Sequence, residues 1–482
     1  MKNYELCIVN CGVPTASMLL SFFNNPWCND SLLFSFNRKN KIRNIRNMKK
    51  VFTWMAAAGV GSIALLSCSS SSEDVEFKEK IVVNMLADPQ PIELTEAQKV
   101  FANDNNQFTL NFLKTVNESD QSGKSFFYSP LSITCALGMV NDAATGQTEK
   151  ELEQTLGFHE GGIRAVNDYC KKLINGLPNV DKDVTLNIAN AIFLNKGYTL
   201  KKQFEQDMED YYDAKAEALD FSSPNTLDHI NDWCKDKTEG MIPSILDEVD
   251  PNMMSYLLNA IYFKADWTSK FDPKNTKAET FTTPKGMKEL PMMQQNVRIN
   301  YLKNDTYAAV DIPYGNGHWS MVVMLPEEGK TIDDVISLLA QRGLYAKTYS
   351  GGEGEMFRPY DVNLKIPRYE TSSDTDELPT EKGLVGLLKT MGIKLAFDPL
   401  CEEISNMCNV PVYINMMRQK AKVKVNEEGS EAAVITVVGM MEKSAGPMEY
   451  PKATFHANRP FVYVIREASS GVILFVGKFT GE

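Results

Sequence analysis

Apolar positions along this chain recur mainly at helical spacing in its first part, and strand-like runs interleave and then take over. Ser129-Pro130 supplies an N-cap followed by proline at the first helical position, and the apolar run Ile133 to Val140 follows before Gly146. Thr148 and Glu151 read as a capping-box pair for a short helix ending near Gly157. Further helices are predicted at 199–212, 226–239, 331–342 and 380–391. Strands are predicted for TLNIANAIFLN (185–195), YLLNAIYFKA (256–265), WSMVVMLP (319–326), YDVNLKIP (360–367), AKVKVNE (421–427), RPFVYVIRE (459–467) and GVILFVGKF (471–479), all rich in β-branched and aromatic residues. The last two, joined by Ala468 to Gly471, predict a C-terminal hairpin. This order of elements indicates an α+β fold with large, mainly antiparallel sheets.

One stretch fits neither pattern. NEEGSEAAVITVVGMMEKSAGP, residues 426–447, opens with acidic and glycine residues suited to an exposed loop. It then becomes the apolar run Ala432 to Met441, which belongs in a core, and breaks again at Glu442, Lys443, Ser444, Ala445, Gly446 and Pro447.

Charge and the N-terminus divide the chain. The formal charge is -12, and residues 1–67 carry +6 (eight Lys/Arg against two Asp/Glu), so the remainder stands at -18. A body that acidic is ill suited to a phosphate backbone, and no nucleic-acid partner is expected. Met48 opens MKKVFTWMAAAGVGSIALLSC, two lysines and an apolar run closing on Leu65, Leu66, Ser67 and Cys68. The run is shorter than the roughly 20 apolar residues of a spanning helix, and it resembles a bacterial lipoprotein signal with its lipobox. The expected organisation is therefore an upstream extension at 1–47, a signal peptide at 48–67, lipidation of Cys68, a solvated tether at 68–96 and one folded domain at 97–482. Ser69 does not favour retention at an inner membrane, so the resemblance implies an outer-membrane or cell-surface lipoprotein.

Familiar chemistry is missing from the motifs. His159, His229, His318 and His456 show no metal-ligand spacing, and no GxSxG elbow is present. Ser122-Gly123-Lys124-Ser125 ends like a phosphate loop, but Glu118 stands where its first glycine belongs, and a carboxylate there repels phosphate. Asp207, Glu209 and Asp210 read as a solvated helix face. Cys135, Cys170, Cys234, Cys401 and Cys408 form no even or regularly spaced set, so they are expected as free, buried thiols. Neither a metal nor a cofactor is expected.

Seven segments in order do carry a resemblance. FFYSPLSITCALGMVNDAATGQT (126–148), LNIANAIFLNKGYTL, INDWCKDKTEGMIPSIL, LLNAIYFKADW, PYGNGHWSMVVMLP, KAKVKVNEEGSEAA and FHANRPFVYVIREASSGVILFVGKF resemble the serpins, the match covering residues 97–482. The resemblance implies about nine helices, three β-sheets and an exposed reactive-centre loop near the C-terminus. It also implies a monomeric protease inhibitor rather than an enzyme. In that family the loop, once cut, enters the largest sheet as a central strand, which explains a segment that is polar at its ends and apolar throughout its middle.

Site residues follow from the same resemblance. Glu427, Glu428, Gly429, Ser430, Glu431, Ala432 and Ala433 match the hinge of members that insert, with Gly429 expected to supply torsional freedom. Alternation places Ser430, Ala432, Val434, Thr436, Val438 and Met440 on one face of the inserted strand. Counting along the loop puts the scissile bond at Lys443-Ser444, which suits trypsin-like proteases; Met441-Glu442 and Met440-Met441 remain alternatives for proteases preferring apolar side chains. Ser129, Ser132 and Asn259 match a polar cluster that controls sheet opening, Gln419 stands at the family's usual histidine, and Trp267 matches a tryptophan at the top of the sheet. The other functions left open are a non-inhibitory carrier or structural lipoprotein, and an inhibitor of elastase-like, subtilisin-like or cysteine proteases.

Overall fold

A computed structural model of the chain describes residues 90–120, 122–159, 161–344, 356–430 and 449–482. The signal peptide, residues 68–89 of the tether with Cys68, the hinge residues Glu431, Ala432 and Ala433, and the bond candidates Met440, Met441, Glu442, Lys443 and Ser444 lie outside the described residues.

Eight α-helices occur among the described residues: α1 (Glu96–Ser119), α2 (Pro130–Ala143), α3 (Gly146–Leu156), α4 (Gly162–Gly176), α5 (Lys202–Tyr212), α6 (Thr226–Lys237), α7 (Ile332–Arg342) and α8 (Leu384–Met391). α2 begins where the sequence places it, with the Ser129 hydroxyl accepting the Ser132 N–H and proline at the first position. The expected capping box of α3 does not form. Thr145 occupies the N-cap without a side-chain bond, and Thr148 lies inside the helix, giving its N–H and its hydroxyl to Glu403 at 2.7 and 2.8 Å. Glu151 instead accepts the N–H groups of Lys394 and Leu395 at 2.7 and 2.9 Å. Distant backbone and a distant carboxylate took partners that local spacing assigned to each other.

The strands are β1 (Phe126–Tyr128), β2 (Thr185–Asn195), β3 (Lys215–Leu219), β4 (Ser255–Asp266), β5 (Lys277–Thr283), β6 (Gly286–Lys303), β7 (Tyr307–Tyr314), β8 (Trp319–Pro326), β9 (Arg358–Pro367), β10 (Tyr369–Asp374), β11 (Lys420–Val425), β12 (Gly429–Ser430), β13 (Lys452–His456), β14 (Phe461–Glu467) and β15 (Ile473–Phe479). Six of them form a sheet in the order β10-β11-β12-β4-β2-β3, and the other nine form a second network. β6 joins two lobes of that network, pairing with β7 through Asn300 to Lys303 and with β9 from Met292 to Tyr301. The three sheets expected from the resemblance are thus one six-stranded sheet and two lobes sharing a long strand. Pairing is antiparallel except for β2 with β3 and β13 with β9. The expected hairpin is β14–β15.

α2 carries apolar residues around most of its circumference, and nearly all of it is buried, as befits a helix inside a core rather than on it. It packs against β4 of one sheet and β15 of the other. This placement brings Ser129 and Ser132, at its N-terminus, beneath the middle of the six-stranded sheet.

Candidate functional site between β4 and β11

The two central strands of the six-stranded sheet do not pair with each other among the described residues; two residues of β12 stand between them. Ser430 pairs with Val425 of β11 and with Ala265 of β4, and Gly429 pairs with Asp266. The chain turns from β11 into β12 at Asn426, whose side-chain oxygen accepts the N–H groups of Glu428 and Gly429 at 2.9 and 3.2 Å. β11 therefore stops at Val425, two residues short of the predicted end.

Gly429 is required here for space. A Cβ on it would lie 2.1 Å from the Ala265 carbonyl oxygen and 2.6 Å from the Asp266 Cα. Close approach to β4 is thus a reason for glycine at this position.

Aromatic packing and charge hold the hinge at this end. The Trp267 ring stacks on Tyr314 at 4.3 Å, and its indole N–H donates to the Asn426 carbonyl at 2.9 Å. The backbone N–H of Trp267 donates to the Glu428 carbonyl, and that of Phe271 to the Glu427 carbonyl. Ser430 is buried, with its hydroxyl 2.7 Å from that of Tyr314. Burial pushes the Tyr314 phenol far above its ordinary pKa. Lys270 lies 2.7 Å from Glu428 and 2.9 Å from Asp266. Burial works against its charge, but hydrogen bonds to both carboxylates outweigh burial and hold its pKa above the usual lysine range. The buried Glu427 carboxylate accepts the Thr276 hydroxyl at 2.7 Å and lies 3.4 Å from Arg368.

The other end of the gap is built from neutral groups. Gln419 clamps the backbone of Ser129, accepting its N–H at 2.9 Å and donating to its carbonyl at 2.8 Å. An amide can do both at once, which neither a carboxylate nor an ammonium can. The Gln419 N–H donates to the Thr375 hydroxyl at 2.8 Å. Ser129 donates its hydroxyl to the Leu474 carbonyl. Ser132 donates to the Asn259 side-chain oxygen, Asn259 donates to Asn190 at 2.7 Å, and Asn190 donates to the Tyr212 carbonyl at 2.6 Å. The strands flanking the gap are therefore each tied to the start of α2: Gln419 adjoins β11, and Asn259 lies on β4.

Ser129, Ser132, Asn259 and Gln419 come together as one cluster, whereas Trp267 belongs to the hinge end. Asn190, Thr375, Tyr314 and Lys270 were not singled out from the sequence. Asn190 did carry a signal, being an amide amid the apolar run of β2 on the side of Ile188 and Ile192; Tyr314 and Lys270 are ordinary strand and loop residues until the fold brings the hinge to them. All five cysteines from Cys135 onward are free, four of them buried and Cys401 half-buried. Among the described residues no cluster of His, Cys, Asp and Glu could hold a metal, and no helix is long and apolar enough to cross a membrane.

Comparison with known proteins agrees with this geometry. Residues 103–481 match the family model for serpin (serine protease inhibitor). Serpin B8 of Homo sapiens is 31% identical over 385 residues, covering 78% of this chain and 98% of that protein. Serpin B6 of Macaca fascicularis is 30% identical over 389 residues, covering 79% and 99%. The crystal structure of tengpin, a thermophilic serpin in its native state, superposes with a TM-score of 0.67 at 26% identity, covering 82% of this chain and 97% of tengpin. The chain belongs to the serpin family.

Proposed function

We propose that the protein is a single-use inhibitor of trypsin-like serine proteases, carried on the cell envelope by a lipid on Cys68. The observation supporting it is the seat of Gly429 and Ser430 between β4 and β11, two strands that do not pair with each other among the described residues. Beyond Glu431, residues Ala432 to Met441 are small or apolar apart from Thr436 and carry no charge, so they suit a strand buried on both faces. A protease acylated at Lys443 would be trapped when the cut loop inserts. About ten residues entering a sheet, at about 1 kcal/mol per net hydrogen bond and one or two bonds each, supply on the order of 10–20 kcal/mol before ordering is counted against them.

The test is to mix the soluble chain, residues 73–482, with trypsin, run a denaturing gel and sequence the released fragment from its N-terminus. A band at the summed mass with a fragment beginning at Ser444 is expected. Clean cleavage without that band, repeated with an elastase and a subtilisin, would instead make the protein a carrier or structural serpin. Release of a fragment beginning at Glu442 or Met441 would move the bond and with it the protease class.

A further inference from the structure

The six-stranded sheet has an edge that its own strands only half cover. β3 is the last strand on that side, and it pairs with β2 from Ala191 to Asn195 alone. On its other side β2 pairs with β4 from Thr185 to Leu194. Toward Thr185, the outer edge of β2 therefore has no partner strand among the described residues.

The direction of the backbone groups on that edge follows from two bonds. Asn195 donates its N–H to Met254, on the β4 side, and Lys196 donates to Leu219, on the β3 side. Antiparallel alternation then points the N–H and C=O of the odd-numbered residues at β4 and those of Leu186 and Ile188 outward. Helices flank both faces of the strand. Phe193 meets Trp233 of α6 edge-on at 5.8 Å, and the Asn190 amide donates to the carbonyl ending α5. The outward groups face a cleft of about 860 Å³, walled by Asn175 at the end of α4, by Asn179 in the 3-10 turn that follows it and by Trp233 and Asp236 of α6, with β3 closing one end at Lys215. The cleft thus lies in the plane of the sheet, where a further strand would run.

We propose that this cleft receives an extended peptide segment of a partner protein, added to β2 as an edge strand. Exposed backbone on a sheet edge recruits such segments by main-chain hydrogen bonds, while side-chain surroundings select among them. The rim sets the chemistry of the occupant: Asp213, Glu217, Asp236 and Glu239 face it against Lys215 and Lys237, so the segment carries basic side chains between small apolar ones. This site is separate from the gap between β4 and β11, and its occupancy does not require the loop to be cut.

Hydrogen exchange on the whole chain tests the edge first. The amides of Leu186 and Ile188 should exchange quickly while those of Asn187 and Ala189, bonded to β4, are protected; slow exchange at all four would mean that the edge is already covered and would overturn the proposal. The probe for occupancy is the acetylated, amidated peptide KVTVRV, compared with EVTVDV and with KVTVRV N-methylated at alternate residues on either register. The basic peptide should slow exchange at Leu186 and Ile188 by about tenfold or more at saturation. Methylation in the register that removes the inward-facing N–H groups should weaken binding by about tenfold per lost bond at most. Ile188→Pro deletes an N–H that serves only the cleft, and should weaken the peptide without exposing the amides of β4. Failure of KVTVRV to bind, equal binding of the acidic peptide, or indifference to methylation in both registers would each refute the site.

Discussion

The two ends of the gap between β4 and β11 hold the same pair of strands by different physics. At the hinge end, backbone ladders, a Trp–Tyr stack and the Lys270 ion pairs act together, and part of that set is wet: the Lys270, Asp266 and Glu428 side chains are 17%, 21% and 29% exposed. At the Gln419 end, amides and hydroxyls satisfy one another with no charge in the chain of bonds. The first end is set by shape and screened electrostatics, and the second by whether every buried donor and acceptor keeps its partner. On the proposed function, in which the sheet opens once, that division helps, because the partly exposed Lys270 pairs can be released without stranding their charges away from water.

The largest effect is expected where shape leaves no tolerance. Gly429→Val forces a side chain into the Ala265 carbonyl oxygen and the Asp266 Cα, backbone atoms that cannot rotate aside as a side chain could. A loss of about 3 kcal/mol or expulsion of β12 is expected, read as faster exchange of the Ala265 and Ser430 amides and a lower unfolding midpoint. Ser132→Ala comes next. It leaves the Asn259 oxygen without its donor in a half-buried setting, at a cost of about 1–3 kcal/mol, and thermal unfolding measures it. If Ser132→Ala were neutral, the cluster would be ordinary packing rather than a clasp.

Much of the sheet was legible in the sequence, for particular reasons. β2 matches its predicted span residue for residue, because a run buried mainly by its own side chains advertises itself. β3, in contrast, reads KAEAL, poor in strand formers and largely exposed, and is a strand only because β2 offers it partners. β6 was missed since its polar residues and Pro291 serve an element that borders two lobes. The predicted end of β11 ran to Glu427 because alternation continues: Ala421, Val423, Val425 and Glu427 are all buried. Only the Asn426 turn, a local hydrogen-bond choice, ends the ladder. The cluster itself was reached by resemblance alone, as Gln419 and Ser129 stand 290 residues apart, and no periodicity spans that distance.

A histidine at the neutral end should make it respond to pH. Gln419→His keeps at most part of the clamp on Ser129, in a site that is 7% exposed. Burial depresses an imidazole pKa, so below about 6.5 the unfolded chain would bind a proton that the native state refuses. Stability would then be present above that value and fall with decreasing pH, at up to about 1.4 kcal/mol per pH unit over the width of the shift. The parent should show no such step from this position. Its background slope comes in part from His456, whose pKa is lowered by burial and by Lys365, and whose contribution has the same sign. Unfolding of both proteins from about pH 7.5 to 5 separates the two, since only the difference between them belongs to residue 419.

The smallest effect is the one that most directly separates the two ends. Lys270→Met removes the cation between Asp266 and Glu428 and leaves two carboxylates that water still reaches. A loss of about 1 kcal/mol is expected at low ionic strength, since partly exposed pairs contribute little more than that. At about 1 M salt the screening length falls to about 3 Å, comparable to the ion-pair distances, and the difference between parent and variant should shrink to about half or less. The cost of Ser132→Ala, which involves no charge, should stay the same across that range. Parallel unfolding curves for parent, Lys270→Met and Ser132→Ala at low and high salt therefore bear on the division itself. If salt moved both variants alike, one kind of physics would govern the whole gap, and the hinge would be held by shape alone.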